Sequence, residues 1–217
     1  MPYHTIKQWP SKNLGHTSES ASQKEIEAIS TDLIDTLKVV AGAGLAAPQL
    51  GISKRVLVID TGRFNCENPD QDIGDSNYWV VANPQLSNLS GEWKWKEACL
   101  SVPLTACMVT RSETLSLEYD NIEGKRNSLD LTAPLSLAIQ HEFDHLEGKT
   151  ILDRVGKFAA SLYKRKIRKS ILKSIRKQRE LEKGSEPIIG HPKKKSHLSA
   201  QERKKRKRTK QRNLRKK

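Results

Sequence analysis

Residues 140–148 read QHEFDHLEG and contain two histidines four positions apart. Positions i and i+4 share one face of a helix, so His141 and His145 can direct both imidazoles at one ion. Glu142 stands beside the first histidine, where it can accept a proton without binding the ion. This His-Glu-x-x-His spacing is typical of metal-dependent hydrolases. The alternative is an amphipathic helix whose His and Glu side chains are solvated.

A third protein ligand is expected elsewhere, because a catalytic ion usually has three of them and one open position. Upstream, EACLSVP at residues 97–103 places Cys99 in a predicted loop that ends at a proline. One thiolate and two imidazoles form a plausible ligand set for Zn²⁺ or Fe²⁺. Cys66 and Cys107 are the competing candidates, and the residues alone leave this choice open.

The segments around these motifs predict an α+β fold. Apolar residues recur at helical spacing in two segments and form short buried runs or alternate in others. The predicted elements are helices over 20–41 and 134–147, strands over 55–60 and 78–84, a loop over 61–77 and a hairpin over 114–126. Because strands and helices do not alternate strictly, we expect mixed, mostly antiparallel sheets packed around a central metal-binding helix.

Charge divides the chain into an acidic body and a basic end. Residues 157–217 hold 25 Lys and Arg against 4 Asp and Glu, a net charge of +21, whereas residues 1–156 carry −7. Such a basic segment favours a polyanionic partner: RNA, DNA or an anionic membrane. We expect a catalytic domain over 1–156, a basic amphipathic helix over 157–183 and a disordered tail over 184–217. The residues predicted to share the apolar face of the helix are Leu162, Ile167, Ile171, Leu172 and Ile175.

The first twenty residues contain no apolar run, which argues against a secretory signal peptide. No stretch approaches the ~18 apolar residues of a membrane span. An odd, small number of cysteines, three in all, argues against a disulfide framework. We therefore expect a soluble, monomeric protein of a reducing compartment, without membrane insertion.

Three stretches together resemble the peptide deformylase family. GAGLAAPQLG at 42–51, EACLS at 97–101 and QHEFDHLEG at 140–148 are similar to its three signature motifs, in the same order. The resemblance covers about residues 5–155 and departs from the family at Ala98, where a glycine is usual. It implies a hydrolase that removes the formyl group from the N-terminal methionine of newly synthesised polypeptides.

The resemblance implies a set of metal ligands. Cys99, His141 and His145 would bind one divalent ion, Fe²⁺ in the native enzyme, with Zn²⁺, Ni²⁺ or Co²⁺ able to replace it. The ion would lower the pKa of a water in its open position. Glu142 would accept the proton of that water and later give it to the leaving amine.

Further residues are implied to act on the substrate. The side-chain amide of Gln49 and the backbone N–H of Leu100 would stabilise the negative oxygen that forms on the formyl carbon. The peptide would run past Gly44 like an added strand. The candidates for the methionine pocket are Ala43, Val102, Leu137 and Ala138.

An ion pair is expected to support the Cys99 segment. Arg111 lies where the family has an arginine that pairs with the glutamate at Glu97, and such partners hold metal ligands in position. Ala98 is the doubtful position. If the family glycine has a positive φ, an alanine there costs on the order of 1 kcal/mol.

The resemblance also suggests partners. In some bacterial members the helix after the third motif docks on the ribosome, and residues 157–183 could serve in this way. The tail has almost no aromatic residues, so we expect it to contact ribosomal RNA phosphates rather than stack on bases. KKRKRTK at 204–210 also resembles a nuclear localisation run. Formylated nascent chains, however, indicate the cytoplasm of a bacterium or a phage-infected cell, or an organelle.

Two alternatives remain at this level. One is a different metal amidase or peptidase built on the same helix, against which a cysteine as third ligand argues. The other is an inactive or weakly active deformylase-like protein that acts mainly as a ribosome- or RNA-binding factor. Ala98 and the basic tail leave the second alternative open.

Overall fold

The chain folds into helices packed on antiparallel sheets, which confirms the predicted α+β class. A computed structural model describes residues 4–40, 42–70 and 77–184, the last three without their side chains. The elements in chain order are α1 Gln23–Val40, β1 Gly44–Ala46, α2 Ala47–Leu50, β2 Val56–Asp60, β3 Tyr78–Ser90, β4 Trp93–Cys99, β5 Val102–Arg111, β6 Thr114–Asp120, β7 Arg126–Thr132, α3 Leu135–Leu146 and α4 Lys157–Gly184. Among the described residues, short 3₁₀ turns cover Lys12–Gly15, Thr61–Phe64 and Ile151–Asp153.

The strands form two antiparallel sheets. The larger has five strands in the order β1-β2-β3-β6-β7, so β1 lies at one edge. The smaller is the hairpin of β4 and β5, in which Glu97 lies opposite Cys107. The large sheet packs against one helix on each face, because the side chains of β2 alternate between the two faces. Leu57 and Ile59 pack in the cluster that contains α3, and Val58 packs in the cluster that contains α1.

A third apolar cluster joins the β4–β5 hairpin to α4. It contains Cys99, Cys107 and Ile167, and Ile171 packs against it. The prediction of one apolar face on this helix is therefore right for Ile167 and Ile171. It is wrong for Leu162, Leu172 and Ile175, which are 47%, 60% and 41% exposed, because only a narrow stripe of the helix meets the hairpin.

The hairpin itself was not foreseen. The sequence predicts a loop over 97–103, whereas Glu97 and Cys99 belong to β4 and Val102 begins β5. Charged Glu97 and Arg111 face inward on these strands and interrupt the apolar alternation that signals a strand. Likewise, the sequence predicts a glycine-rich loop over 42–51, whereas this segment contains β1 and α2.

Other boundaries shift by smaller amounts. The predicted strand over 78–84 continues to Ser90, and the predicted loop over 61–77 begins with a 3₁₀ turn. Residues 71–76 and the predicted tail from 185 onward lie outside the described residues. The chain divides into two units, Met1–Ser174 and Ile175–Lys217. In the part of the chain that the structure describes, no helix is long and apolar enough to cross a membrane.

The packing of α1 on the large sheet gives a stability prediction. Leu33 is fully buried on α1, so Leu33→Ala should lower the free energy of unfolding by about 2–5 kcal/mol through lost burial and a residual cavity. Val39 lies on the same helix and is 59% exposed, so Val39→Ala should cost much less. Urea unfolding followed by circular dichroism measures both; equal losses would contradict the packing described.

Candidate metal centre

Cys99 at the end of β4 and two histidines of α3 converge at one point. One ligand atom from each of Cys99, His141 and His145 lies within 4.8 Å of the other two. The Sγ atom of Cys99 is 3.2 Å from Nε2 of His145. Among the described residues, neither Cys66 nor Cys107 belongs to a group that could hold a metal. The alternatives for the third ligand are thus separated by the fold.

Glu97 sets the orientation of the first histidine. Its Oε2 atom is 2.8 Å from Nδ1 of His141, which leaves Nε2 of that ring for an ion. Burial raises the pKa of Glu97, but hydrogen bonds from His141 and Arg111 outweigh it and bring the pKa to about 2. Glu97 is therefore a carboxylate, and a carboxylate at Nδ1 fixes both the tautomer and the ring plane of a ligating histidine.

The ion pair expected between Glu97 and Arg111 is present and buried. Nε of Arg111 donates to Oε1 of Glu97 at 2.5 Å, and Nη2 donates to Oε2 at 2.9 Å. The remaining nitrogen, Nη1, donates to Oδ2 of Asp144 at 3.0 Å. Arg154 extends these contacts, since its Nε donates to the same Asp144 oxygen at 2.8 Å. Glu97, Arg111, Asp144 and Arg154 together form an ion-pair row. Each buried charge thus meets an opposite one, which buried ions require.

Sequence reasoning missed Asp144 and Arg154 in this row. Asp144 lies three positions after His141 on α3, and helical spacing places these two residues on neighbouring parts of one face. That spacing was the available signal for Asp144. Arg154 follows the 3₁₀ turn Ile151–Asp153 and carried no signal in the sequence.

Glu142 is a buried carboxyl group beside the cluster. Its Oε2 atom has no hydrogen-bond partner among the described residues. Desolvation raises its pKa to about 7 against the opposing charges of His141 and Arg111. A Cβ atom on Gly44 would lie 2.7 Å from Oε1 of Glu142. A side chain at this position would therefore displace the carboxyl group of Glu142 from its place beside β1.

The side-chain amide of Gln49, on α2, is held by hydrogen bonds beside the same site. Its Oε1 accepts a hydrogen bond from the Ala46 N–H at 2.8 Å, and its Nε2 donates to Oγ of Ser101 at 3.2 Å. A side-chain amide carries two N–H donors, so one remains for a ligand. Gln49 and Leu100 both line the cavity described next.

A cavity of about 400 Å³ opens beside these groups. Of the predicted pocket residues, Ala43 and Ala138 line it, whereas Val102 and Leu137 lie outside its lining. Val102 is buried in the hairpin cluster, and Leu137 is next to Ala138 on a helix, where neighbours point about 100° apart. Four lining residues that were not predicted come from the segment after β2 and from β4: Arg63, Phe64, Trp95 and Lys96.

Ala98 is not strained in this fold. It lies in the extended strand β4 and pairs with Ala106. Among the described residues other than glycine, a positive φ occurs only at four positions: Asn65, Asn83, Asn88 and Leu104. The conformational cost considered for an alanine at this position therefore does not arise.

The donor set suits a divalent transition metal. One thiolate and two imidazoles are ligands for Zn²⁺ or Fe²⁺. The buried, unpartnered oxygen of Glu142 needs a hydrogen-bonding group in the cavity, which a water beside an ion would provide. The fold and the site together define a metal-dependent hydrolase.

Comparisons with known proteins identify the family. The family described as polypeptide deformylase matches residues 3–160. A peptide deformylase of Acidobacterium capsulatum is 35% identical over 171 residues, 78% of this chain and 96% of that protein. The crystal structure of a peptide deformylase from Legionella pneumophila superposes with a TM-score of 0.70 at 28% identity, covering 81% of this chain and 99% of that one.

A third relative was solved with a peptide. It is a class I type b peptide deformylase from Acinetobacter baumannii with Met-Ala-Ser bound, at a TM-score of 0.62 and 26% identity over 71% of this chain and 99% of that one. The chain belongs to the peptide deformylase family. It is a metal-dependent hydrolase that removes the N-terminal formyl group from formyl-methionine of newly synthesised polypeptides. These matches do not favour an inactive RNA-binding factor.

The buried ion-pair row predicts a large effect of removing its central cation. Arg111→Met leaves Glu97 and Asp144 as buried carboxylates without this partner, so unfolding should become easier by about 3–5 kcal/mol. Arg126 pairs with Glu118 and Asp120 at the surface, so the matched control Arg126→Gln should cost less than about 1 kcal/mol. Urea unfolding of the metal-loaded proteins tests this; similar costs would show that the row does not stabilise the fold.

Proposed function

We propose that Cys99, His141 and His145 hold one divalent ion and that Glu142 moves the protons of the deformylation reaction. The observation that carries this proposal is the convergence of three ligand atoms within 4.8 Å of one another. A buried carboxyl oxygen without a partner lies beside them. When bound, the ion supplies Lewis-acid chemistry and makes a water more acidic.

Glu142 has the properties of an acid and a base. It accepts a proton from water as the formyl carbon is attacked, and it gives the proton to the amine as the C–N bond breaks. Burial raises the pKa of this carboxyl group above its ordinary value, which favours a group that both accepts and donates a proton near neutral pH.

Gln49 and Leu100 stabilise the oxygen of the formyl group. As the carbon becomes tetrahedral, this oxygen becomes negative and accepts hydrogen bonds from the free N–H of Gln49 and the backbone N–H of Leu100. The amide of Gln49 is held in advance by Ala46 and Ser101. Donors fixed before the reaction contribute most, since they need no reorganisation.

The substrate lies along β1. This strand is at the edge of the five-stranded sheet, and an extended peptide can add to such an edge. Gly44 permits the close approach, and the methionine side chain packs near Ala43 and Ala138. The relative from Acinetobacter baumannii, solved with Met-Ala-Ser bound, supports a short peptide that begins with methionine as the ligand.

The native ion in this proposal is Fe²⁺, with Zn²⁺, Ni²⁺ or Co²⁺ as replacements. The set of one thiolate and two imidazoles accepts all of them, and its geometry alone does not select one. The family resemblance favours iron. A ferrous ion next to a thiolate also calls for anaerobic preparation, because thiolates are readily oxidised.

The test of this mechanism is an isosteric change of the general base. Glu142→Gln should lower kcat for formate release from formyl-Met-Ala-Ser by about 100-fold or more, because proton transfer is lost. The metal content should stay at one ion per chain, because Glu142 is not a ligand. Formate release and metal content are measured on the same anaerobic sample.

Glu147→Gln is the matched control. Glu147 follows the same helix and pairs with Arg55 at 2.6 Å, away from the cluster. It should retain the activity of the parent chain. If Glu142→Gln remained fully active, or if it lost the ion, the role assigned to Glu142 would be wrong.

We further propose that the basic end tethers a monomeric enzyme to ribosomal RNA in the cytoplasm of a bacterium or a phage-infected cell. Its support is the excess of Lys and Arg over residues 157–217. The division into a domain over 1–156, a helix over 157–183 and a tail over 184–217 belongs to this proposal. One refinement is needed, since the buried side chain of Ile167 makes the start of α4 part of the folded body.

The tether should be removable without loss of chemistry. A chain ending at Gly184 keeps Ile167 in place, so it should hydrolyse formyl-Met-Ala-Ser like the full chain. It should bind ribosomes much more weakly, because 14 of the 25 Lys and Arg of residues 157–217 are removed. Binding of the full chain should fall steeply as salt rises, because phosphate contacts release counterions. The control is a full-length variant in which the six basic residues at 203–208 are replaced by glutamine, so that the charge of the tail changes and its length does not. Salt-independent binding would rule out the RNA tether.

A further inference from the structure

Two cations line the cavity and have no role in the mechanism above. Lys96 is exposed on β4, three positions before Cys99, and Arg63 belongs to the 3₁₀ turn Thr61–Phe64. Both line the same cavity as Gln49 and Glu142. They come from different elements, one from the small sheet and one from the segment that follows the large sheet's second strand.

The negative groups of this cavity do not neutralise these cations. Glu97 is already paired with Arg111 and His141, and Glu142 is buried. Arg63 is 44% exposed and has Asp60 at 3.3 Å, so its charge is partly balanced. Lys96 forms no ion pair with any carboxylate of the described residues. The part of the cavity open to solvent therefore carries positive charge, although residues 1–156 are acidic overall with a net charge of −7.

Strand geometry relates Lys96 to a position in the peptide. A strand rises about 3.3 Å per residue, so three positions along β4 separate Lys96 from the ligand Cys99 by roughly 10 Å. An extended substrate rises by a similar amount per residue. Lys96 lines the same cavity as the candidate ligands Cys99 and His141, so a peptide that runs from Cys99 past Lys96 brings its second or third side chain near the lysine.

We propose that Lys96, assisted by Arg63, makes this deformylase prefer formyl-methionine chains with an acidic second or third residue. This inference deepens the proposed function and rests on it, because it requires the peptide to occupy this cavity. An aspartate near Lys96 gains Coulomb energy at a surface where water screens only part of it. A lysine in the substrate would be disfavoured for the same reason.

The experiment compares peptides that differ only in charge. The pairs are formyl-Met-Asp-Ser with formyl-Met-Asn-Ser, and formyl-Met-Ala-Asp with formyl-Met-Ala-Asn. All four end in an amide, so that a terminal carboxylate does not mimic the effect. For the metal-loaded full chain, kcat/KM at low salt should favour Asp over Asn by about threefold to fivefold in at least one pair. The ratio should approach one at 1 M salt, where the Debye length is about 3 Å.

Charge reversal on β4 identifies the residue responsible. Lys96→Glu should bring the Asp-to-Asn ratio below one, and Arg63→Gln should lower it by a smaller factor because Asp60 already balances part of that charge. Lys94 is the matched control: it is exposed on the same strand, two residues away, and is not among the residues that line the cavity. Lys94→Glu should keep the parent ratio. Thermal unfolding verifies that each variant is folded.

Three results would overturn the proposal: a ratio of one in the parent chain for both pairs, a ratio unchanged in Lys96→Glu, or an equal shift in Lys94→Glu. Failure of the proposed function is a separate result. It would appear as no formate release from amide-capped formyl-Met-Ala-Ser, the neutral reference peptide, by the parent chain.

Discussion

The ion pair between Arg111 and Glu97 is the interaction on which the site depends. It joins β5 to β4 inside the hairpin and continues to Asp144 on α3. The guanidinium of Arg111 thereby fixes the hairpin that contains Cys99 relative to α3, the helix that contains both histidines. The same carboxylate holds the ring of His141. Burying these charges is tolerable only because each is paired and hydrogen-bonded.

The large sheet supplies the opposite wall of the site. Strand β1 and helix α2 bring Gly44 and Gln49 to the cavity, and β2 packs against α3 on one face and against α1 on the other. Glu142, Gly44 and Gln49 therefore lie on elements that the core immobilises. Fixed groups of this kind are what electrostatic stabilisation of a transition state requires.

The first part of the basic helix α4 packs against the folded body. Ile167 is fully buried against the cluster that contains Cys99 and Cys107, so the first part of α4 packs against the β4–β5 hairpin. Lys164 and Arg168 lie over the ring of Trp9 at 6.0 and 5.2 Å. The buried side chain of Ile167 gives the start of α4 a structural role, which the charge pattern alone could not reveal.

The sequence by itself identified the candidate site on one helix, because helical spacing places His141 and His145 on the same face with Glu142 beside them. Apolar patterns also predicted the buried strand β2 and the helix α3. The pairing of Glu97 with Arg111 and the choice of Cys99 came from the family motifs. Only the tertiary structure revealed the hairpin, Asp144 and Arg154 in the ion-pair row, and Lys96 at the cavity. The physical reason is that hydrophobic periodicity shows only which face of an element is apolar. Inward-facing charged residues break that pattern, and their role can be recognised only when the fold places their partners, which are distant in sequence, beside them.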